Sequence, residues 1–318
     1  MKAWQYPGGQ QPITMNEVDE PVPGPTQVII DVKAAGLCHS DIFYMETGDG
    51  VMPFLPMTQG HENAGVISAI GSEVECFQIG DVVGVNSAGI QPPLGMFTPG
   101  GFADKLAADY RDLARVPEGL DICLAALATD AGMTSYHAII KEGGARAGMK
   151  VGVIGFGGLG QIGARAAVLA GAEVHVAEMK EEVWPLALEA GVVACVKDAE
   201  EWVAGRGWGN DSGFDLIVDY AGFDTTQKAL NAVKRGGTVV QVGLGSPTFT
   251  ITTPTILGKR IIGSLGGTVA DIEEVFDLMN KGEIAPVYEE ISFEAIGEGL
   301  DRLKANQVIG RLVARFGD

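Results

Sequence analysis

Lys150-Val151-Gly152-Val153-Ile154-Gly155-Phe156-Gly157-Gly158-Leu159-Gly160 is the stretch whose reading decides the fold. An apolar strand runs directly into a glycine turn, and a small-residue helix over Leu159 to Ala170 follows. A lone G-x-G-x-x-G spacing says little in a glycine-rich chain, but between a strand and a helix it makes a phosphate cradle. Gly155 permits the tight turn, and Gly157 lets backbone approach a pyrophosphate. Gly158 and Leu159 open the helix, while Gly160 allows close packing on the strand. The helix start then offers N–H donors and the positive end of its dipole. The next strand, Glu173-Val174-His175-Val176-Ala177, ends at Glu178, eighteen residues after Gly160. A carboxylate there accepts from a ribose diol and repels a 2′-phosphate, so NAD is expected and NADP disfavoured. Lys180 pulls the other way. The duller alternative is a structural turn followed by a surface glutamate.

Outward from this stretch, strand and helix alternate through Phe214 to Val218 and Thr238 to Val242, which predicts a parallel, doubly wound sheet over 131–266. Upstream the pattern differs. Short strands at Val28 to Val32, Gly65 to Gly71 and Gly80 to Val85 are bounded by glycine and proline, as in Pro21-Val22-Pro23-Gly24-Pro25. A compact β-barrel-type domain is expected over 1–130. The tail, 267–318, adds helices at 271–281 and 294–305 and a last strand from Arg311 to Arg315.

Within the β-rich part, Cys38-His39-Ser40-Asp41 and Gly60-His61-Glu62 offer a thiolate, an imidazole and carboxylates, ligand types that suit Zn²⁺. Metal and dinucleotide together point to hydride transfer at a polarised C–O bond. The 318 residues carry a net charge of −19, which argues against nucleic acid or an anionic membrane as partner. No apolar leader opens the chain and no run reaches ~18 apolar residues, so a cytoplasmic protein is expected. Four scattered cysteines make a poor disulfide framework. Cys76, Cys123 and Cys195 read as packing residues, and His137 and His175 receive no role.

These segments, with Gly80-Asp81-Val82-Val83, Gly100-Gly101-Phe102-Ala103, Asp130-Ala131-Gly132-Met133-Thr134-Ser135-Tyr136 and Val308-Ile309-Gly310-Arg311, resemble the zinc-dependent medium-chain alcohol dehydrogenases along nearly the whole chain. The resemblance implies an α/β fold with a GroES-like catalytic domain (1–130 and 267–318) and a Rossmann domain (131–266). It implies one catalytic Zn²⁺ per chain, held by Cys38, His61 and Asp130, with Glu62 as a near or alternating fourth ligand and Asp41 orienting His61. The duller alternative makes Asp130 only a helix N-cap for the run from Ala131. Ser40 would accept the substrate hydroxyl proton. His39 and Arg311 would meet the cofactor phosphates, Thr134 would pack on the nicotinamide ring, and Ser264 and Leu265 would present backbone to its carboxamide. The implied substrate is a primary or secondary alcohol, or the matching aldehyde or ketone, and the implied assembly is a homo-oligomer, dimer or tetramer.

Two departures from the family pattern stand out. The interval 87–99 is short and lacks cysteine, so no Cys₄ structural zinc can form there. Phe43 stands where a proton-relay histidine is usual. Phe43, Tyr44, Phe54, Leu55, Met96 and Leu265 are candidates for an apolar substrate pocket or for ordinary packing. Competing readings are a zinc-free quinone or enone reductase of the same superfamily and a non-catalytic dinucleotide-binding protein.

Overall fold

The computed structural model describes residues 1–47, 50–203, 212–245 and 248–317. The chain divides into two compact units, Met1–Met133 with Gly267–Asp318, and Thr134–Gly266.

In the first unit, the long strand Gln27–Leu37 pairs antiparallel with three others: Glu62–Ile70, Lys105–Asp109 and Arg311–Arg315. Around it the sheet runs Tyr288–Ser292, Arg311–Arg315, Gln27–Leu37, Glu62–Ile70, Val82–Val85 and Leu113–Arg115. A three-stranded sheet (Thr14–Glu17, Lys2–Tyr6, Met57–Thr58) completes the β-structure. Val28, Ile30, Val32, Ala35 and Leu37 of the long strand join the core, and Ile30, Leu37, Met57, Ile67 and Phe102 are fully buried there. Each such side chain contributes about 1.5–3 kcal/mol on leaving water. The register sets Gly36 opposite Glu62, and that pairing places the site.

The second unit is a six-stranded parallel sheet in the order Ala194–Val196, Glu173–Ala177, Lys150–Ile154, Phe214–Asp219, Val233–Gln241, Arg260–Gly263. The first strand in sequence lies third and the order reverses beside it. That is the doubly wound arrangement, in which ligands bind beyond the strand C-termini at the switch point. Its interior packs Trp202 against Phe214, ring centroids 4.6 Å apart, with Ile217, Leu230 and Val239 around them. Among the described residues no helix is long and apolar enough to cross a membrane.

Candidate active site

Cys38 follows the last residue of Gln27–Leu37, and the helix His39–Thr47 starts immediately after it. The turn between them is closed by Asp41, whose Oδ2 accepts the Cys38 N–H at 2.9 Å. The other oxygen of this buried carboxylate accepts from His61 Nδ1, also at 2.9 Å. In the neutral ring a proton on Nδ1 would leave the Nε2 lone pair toward Cys38 and Asp130. Asp130 Oδ2 lies 3.4 Å from that nitrogen. Ser40 Oγ sits 3.0 Å from Cys38 Sγ and 3.2 Å from His61 Nε2.

Glu62 is wholly buried and pairs through Oε1 with the Arg311 guanidinium, itself 3% exposed. A Cβ on Gly36 would overlap Glu62 Oε2, so glycine there makes the room. Glu62 Oε2 has no hydrogen-bond partner among the described residues. An uncompensated carboxylate oxygen in such a place costs stability unless a cation meets it. Asp130 lies inside a π-helical turn, Ala128–Gly132, that continues the helix Ile122–Leu127. That helix is capped by Asp121, which accepts from the Cys123 and Leu124 N–H groups. The N-cap alternative for Asp130 is therefore corrected: the helix has already begun eight residues earlier.

One donor atom from each of Cys38, His61, Glu62 and Asp130 falls within 4.8 Å of the rest. That is close enough to converge on one Zn²⁺, whose bonds to S, N and O run ~2.0–2.3 Å. The electrostatics show how poorly the buried acids are compensated: burial raises Glu62 well above the ordinary carboxylate value in spite of Arg311. Burial opposes charge on the Cys38 sulfur, but Arg311 and the hydrogen bond with His61 outweigh it and hold the thiol below its ordinary value. Burial also opposes charge on His61, yet Asp41 and Asp130 raise its pKa well above the usual imidazole value. Asp130 is held well below the ordinary carboxylate range because His61 overrides burial. Protons and one guanidinium offset this acidic group poorly; a dication does it better.

A second cluster, Asp121, Cys123 and Glu290, has comparable spacing. Here Arg315 already bridges both carboxylates, at 2.7 Å to each. Burial pushes the Cys123 thiol up to about 12, so this group is an ion-pair network rather than a ligand set. Cys123 is buried and Cys195 half-buried, but Cys76 is exposed, which corrects its reading as a packing residue. His175 bonds Glu173 at 2.8 Å and His137 lies 3.5 Å from Glu142. Phe43 and Tyr44 meet edge to face at 5.7 Å. Phe54 and Leu55 are exposed, and Met96 is half-buried.

In the second unit, Gly155 has φ +85°, and the helix Gly158–Leu169 begins after Gly157. A Cβ on Gly157 would meet nothing within 4 Å, whereas one on Gly160 would overlap the Gly155 carbonyl oxygen. Glu178 faces this turn: its carboxylate accepts the Phe156 N–H at 2.7 Å and the Lys180 N–H at 2.8 Å. Thr134 is buried, and His39, in the first unit, is exposed on the first turn of its helix. Ser264 is buried with its N–H bonded to the Gln241 carbonyl at 2.9 Å, and Leu265 is 84% exposed. Sequence reading missed Gly36 and Thr129, whose Oγ1 accepts the Asn63 N–H at 3.2 Å beside the site. Only the glycine left a signal, its place two residues before Cys38.

Comparison with known proteins identifies the family. A family model described as the alcohol dehydrogenase GroES-like domain matches residues 24–118, and one described as zinc-binding dehydrogenase matches residues 158–281. An alcohol dehydrogenase of Geobacillus stearothermophilus is 31% identical over 343 residues, covering 99% of each chain. An NADP-dependent alcohol dehydrogenase C of Mycobacterium bovis is 30% identical, covering 95% of this chain and 94% of its own. Among solved structures, the acetophenone reductase of Geotrichum candidum in complex with NAD aligns with a TM-score of 0.87 at 29% identity, covering 100% of this chain and 97% of that one. With its two domain types, its acid-rich Cys–His cluster and relatives matched from end to end, this chain belongs to the medium-chain alcohol dehydrogenase family.

Proposed function

We propose that the chain is a zinc-dependent alcohol dehydrogenase that uses NAD, oxidising a primary or secondary alcohol or reducing the matching aldehyde or ketone. The observation that carries this reading is the convergence of donor atoms from Cys38, His61, Asp130 and Glu62 around one point, with His61 held through Nδ1 by Asp41. Cys38, His61 and Asp130 would hold the metal, with Glu62 near as a fourth ligand. One sulfur, one nitrogen and oxygen donors make a harder set than two thiolates and an imidazole. When bound, zinc supplies Lewis acidity toward the substrate oxygen and NAD supplies the hydride acceptor.

The chain's own groups do the rest. Asp41 fixes the tautomer and ring plane of His61. Ser40 Oγ receives the hydroxyl proton of the alcohol while releasing its own, and Phe43, one helical turn on, has no group to take it further. Gly155, Gly157, Gly158, Leu159 and Gly160 would cradle the pyrophosphate. Glu178 would read the adenosine ribose, with His39, Thr134, Ser264, Leu265 and Arg311 as the remaining cofactor contacts. The domains would be 1–130 with 267–318 for catalysis and 131–266 for the cofactor. A homo-oligomer joined through an edge strand of the parallel sheet, such as Arg260–Gly263, completes the proposal.

Steady-state assays over a panel of alcohols, aldehydes and ketones with NAD and NADP test it. The wild type should turn over with NAD, Cys38→Ser should lose metal and activity together, and Glu178→Ala should narrow the NAD preference. Undiminished activity in metal-free Cys38→Ser, or an unchanged cofactor ratio in Glu178→Ala, would overturn the respective assignment.

A further inference from the structure

The short segment 86–99 is shaped by one carboxylate. Asp112 is 1% exposed and ends the 3-10 turn Tyr110–Asp112, between the strands Lys105–Asp109 and Leu113–Arg115. Both strands are paired into the main sheet, so the side chain has a rigid mount. Its Oδ1 accepts the Ile90 N–H at 2.7 Å and its Oδ2 the Gln91 N–H at 3.0 Å. Charge-assisted bonds to successive amides fix a loop more firmly than neutral ones. A Cβ on Gly89 would overlap Asp112 Oδ1, so the loop closes over the carboxylate only with glycine there. The Asp112 carbonyl accepts the Asn86 N–H at 2.8 Å, and Gln91 Oε1 accepts the Asp109 N–H at 3.0 Å.

The far side of the same loop bears on the residue before His61. A Cβ built on Gly95 would stand 3.0 Å from the Gly60 nitrogen. Leaving the loop, Gly100, Gly101 and Phe102 donate to the carbonyls of Thr58, Gly60 and Gln59 at 2.9, 2.8 and 2.9 Å. Gly60 has φ +95°, and the Phe102 ring occupies the space its Cβ would need. The backbone that delivers His61 is thus held by the loop that Asp112 organises.

We propose that Asp112 is a positioning residue for the metal site: by gathering the Ile90 and Gln91 amides it seats segment 86–99 on Gly60 and so aims His61 Nε2 at Cys38 and Asp130. This rests on the reading above that the quartet holds a divalent cation.

Cobalt(II) added to the metal-free full chain tests it, read by the thiolate-to-cobalt charge-transfer band, the d–d bands and chelator competition. Wild type should show the thiolate band. Asp112→Ala and Gly89→Ala, which disturb the same contact from opposite sides, should each bind Co²⁺ at least about tenfold more weakly, with shifted d–d bands. Asp112→Asn keeps one acceptor and should fall between; it and Gly89→Ala carry the test where Asp112→Ala does not fold. Phe316→Ala, which removes a core ring packed at a tilt against Phe293 with centroids 4.8 Å apart in the same unit, serves as the control for plain destabilisation and should keep wild-type Co²⁺ affinity. Wild-type affinity and spectrum in folded loop variants, or an equal loss in Phe316→Ala, would overturn the proposal. A wild type without any thiolate band would overturn the metal reading, and this inference with it.

Discussion

Glu62 and Arg311 stand 249 positions apart in sequence and meet as a fully buried ion pair. Their burial is paid for only while both are present, because either charge left alone in that setting has no solvent to turn to. Arg311→Leu should therefore cost about 3–5 kcal/mol in urea unfolding, and the double variant with Glu62→Gln should recover part of that loss. Additive losses in the double variant would show that the two side chains do not act as a pair. This pairing also explains what a linear reading could and could not see. Cys38, Ser40 and Asp41 lie within one turn of chain, so their grouping follows from local geometry. The Glu62–Arg311 bond and the overlap that forbids a side chain on Gly36 depend on strand register, and no local pattern encodes register between distant strands.

Elements were legible in proportion to how local their determinants are. The strand Lys150–Ile154 and the helix behind it were read nearly residue for residue, because apolar period and glycine spacing agree there. The π-turn around Asp130 was not, since a single extra residue per turn leaves no periodic trace. The loop 86–99 read only as short and free of cysteine; its anchor at Asp112 comes from a different stretch of sequence. The glycine turn gives a prediction that separates fold from function. Gly157→Ala adds a methyl into open space, so thermal unfolding should shift by no more than about 1 kcal/mol while dinucleotide binding falls sharply. Gly160→Ala collides with the Gly155 carbonyl and should lower stability and binding together, by about 1–3 kcal/mol in unfolding. NADH fluorescence titration beside thermal denaturation reads both. Full NADH affinity in Gly157→Ala would mean the pyrophosphate lies elsewhere.

At the scale of the molecule, two units of different architecture divide the chemistry. The antiparallel unit gathers thiolate, imidazole and carboxylates at the ends of paired strands, and the parallel unit presents a glycine turn at its switch point. The chain's acidity does not decide its function, but the local excess of acids around Cys38 favours a cation at that point. The proposed chemistry depends on a metal there. Zinc content of the dialysed wild-type protein, measured per chain by elemental analysis alongside alcohol oxidation before and after chelation, tests this most directly. One zinc per chain, removed in step with activity and restored with it, is the predicted result; a zinc-free preparation that oxidises alcohol with NAD at the full rate would contradict it.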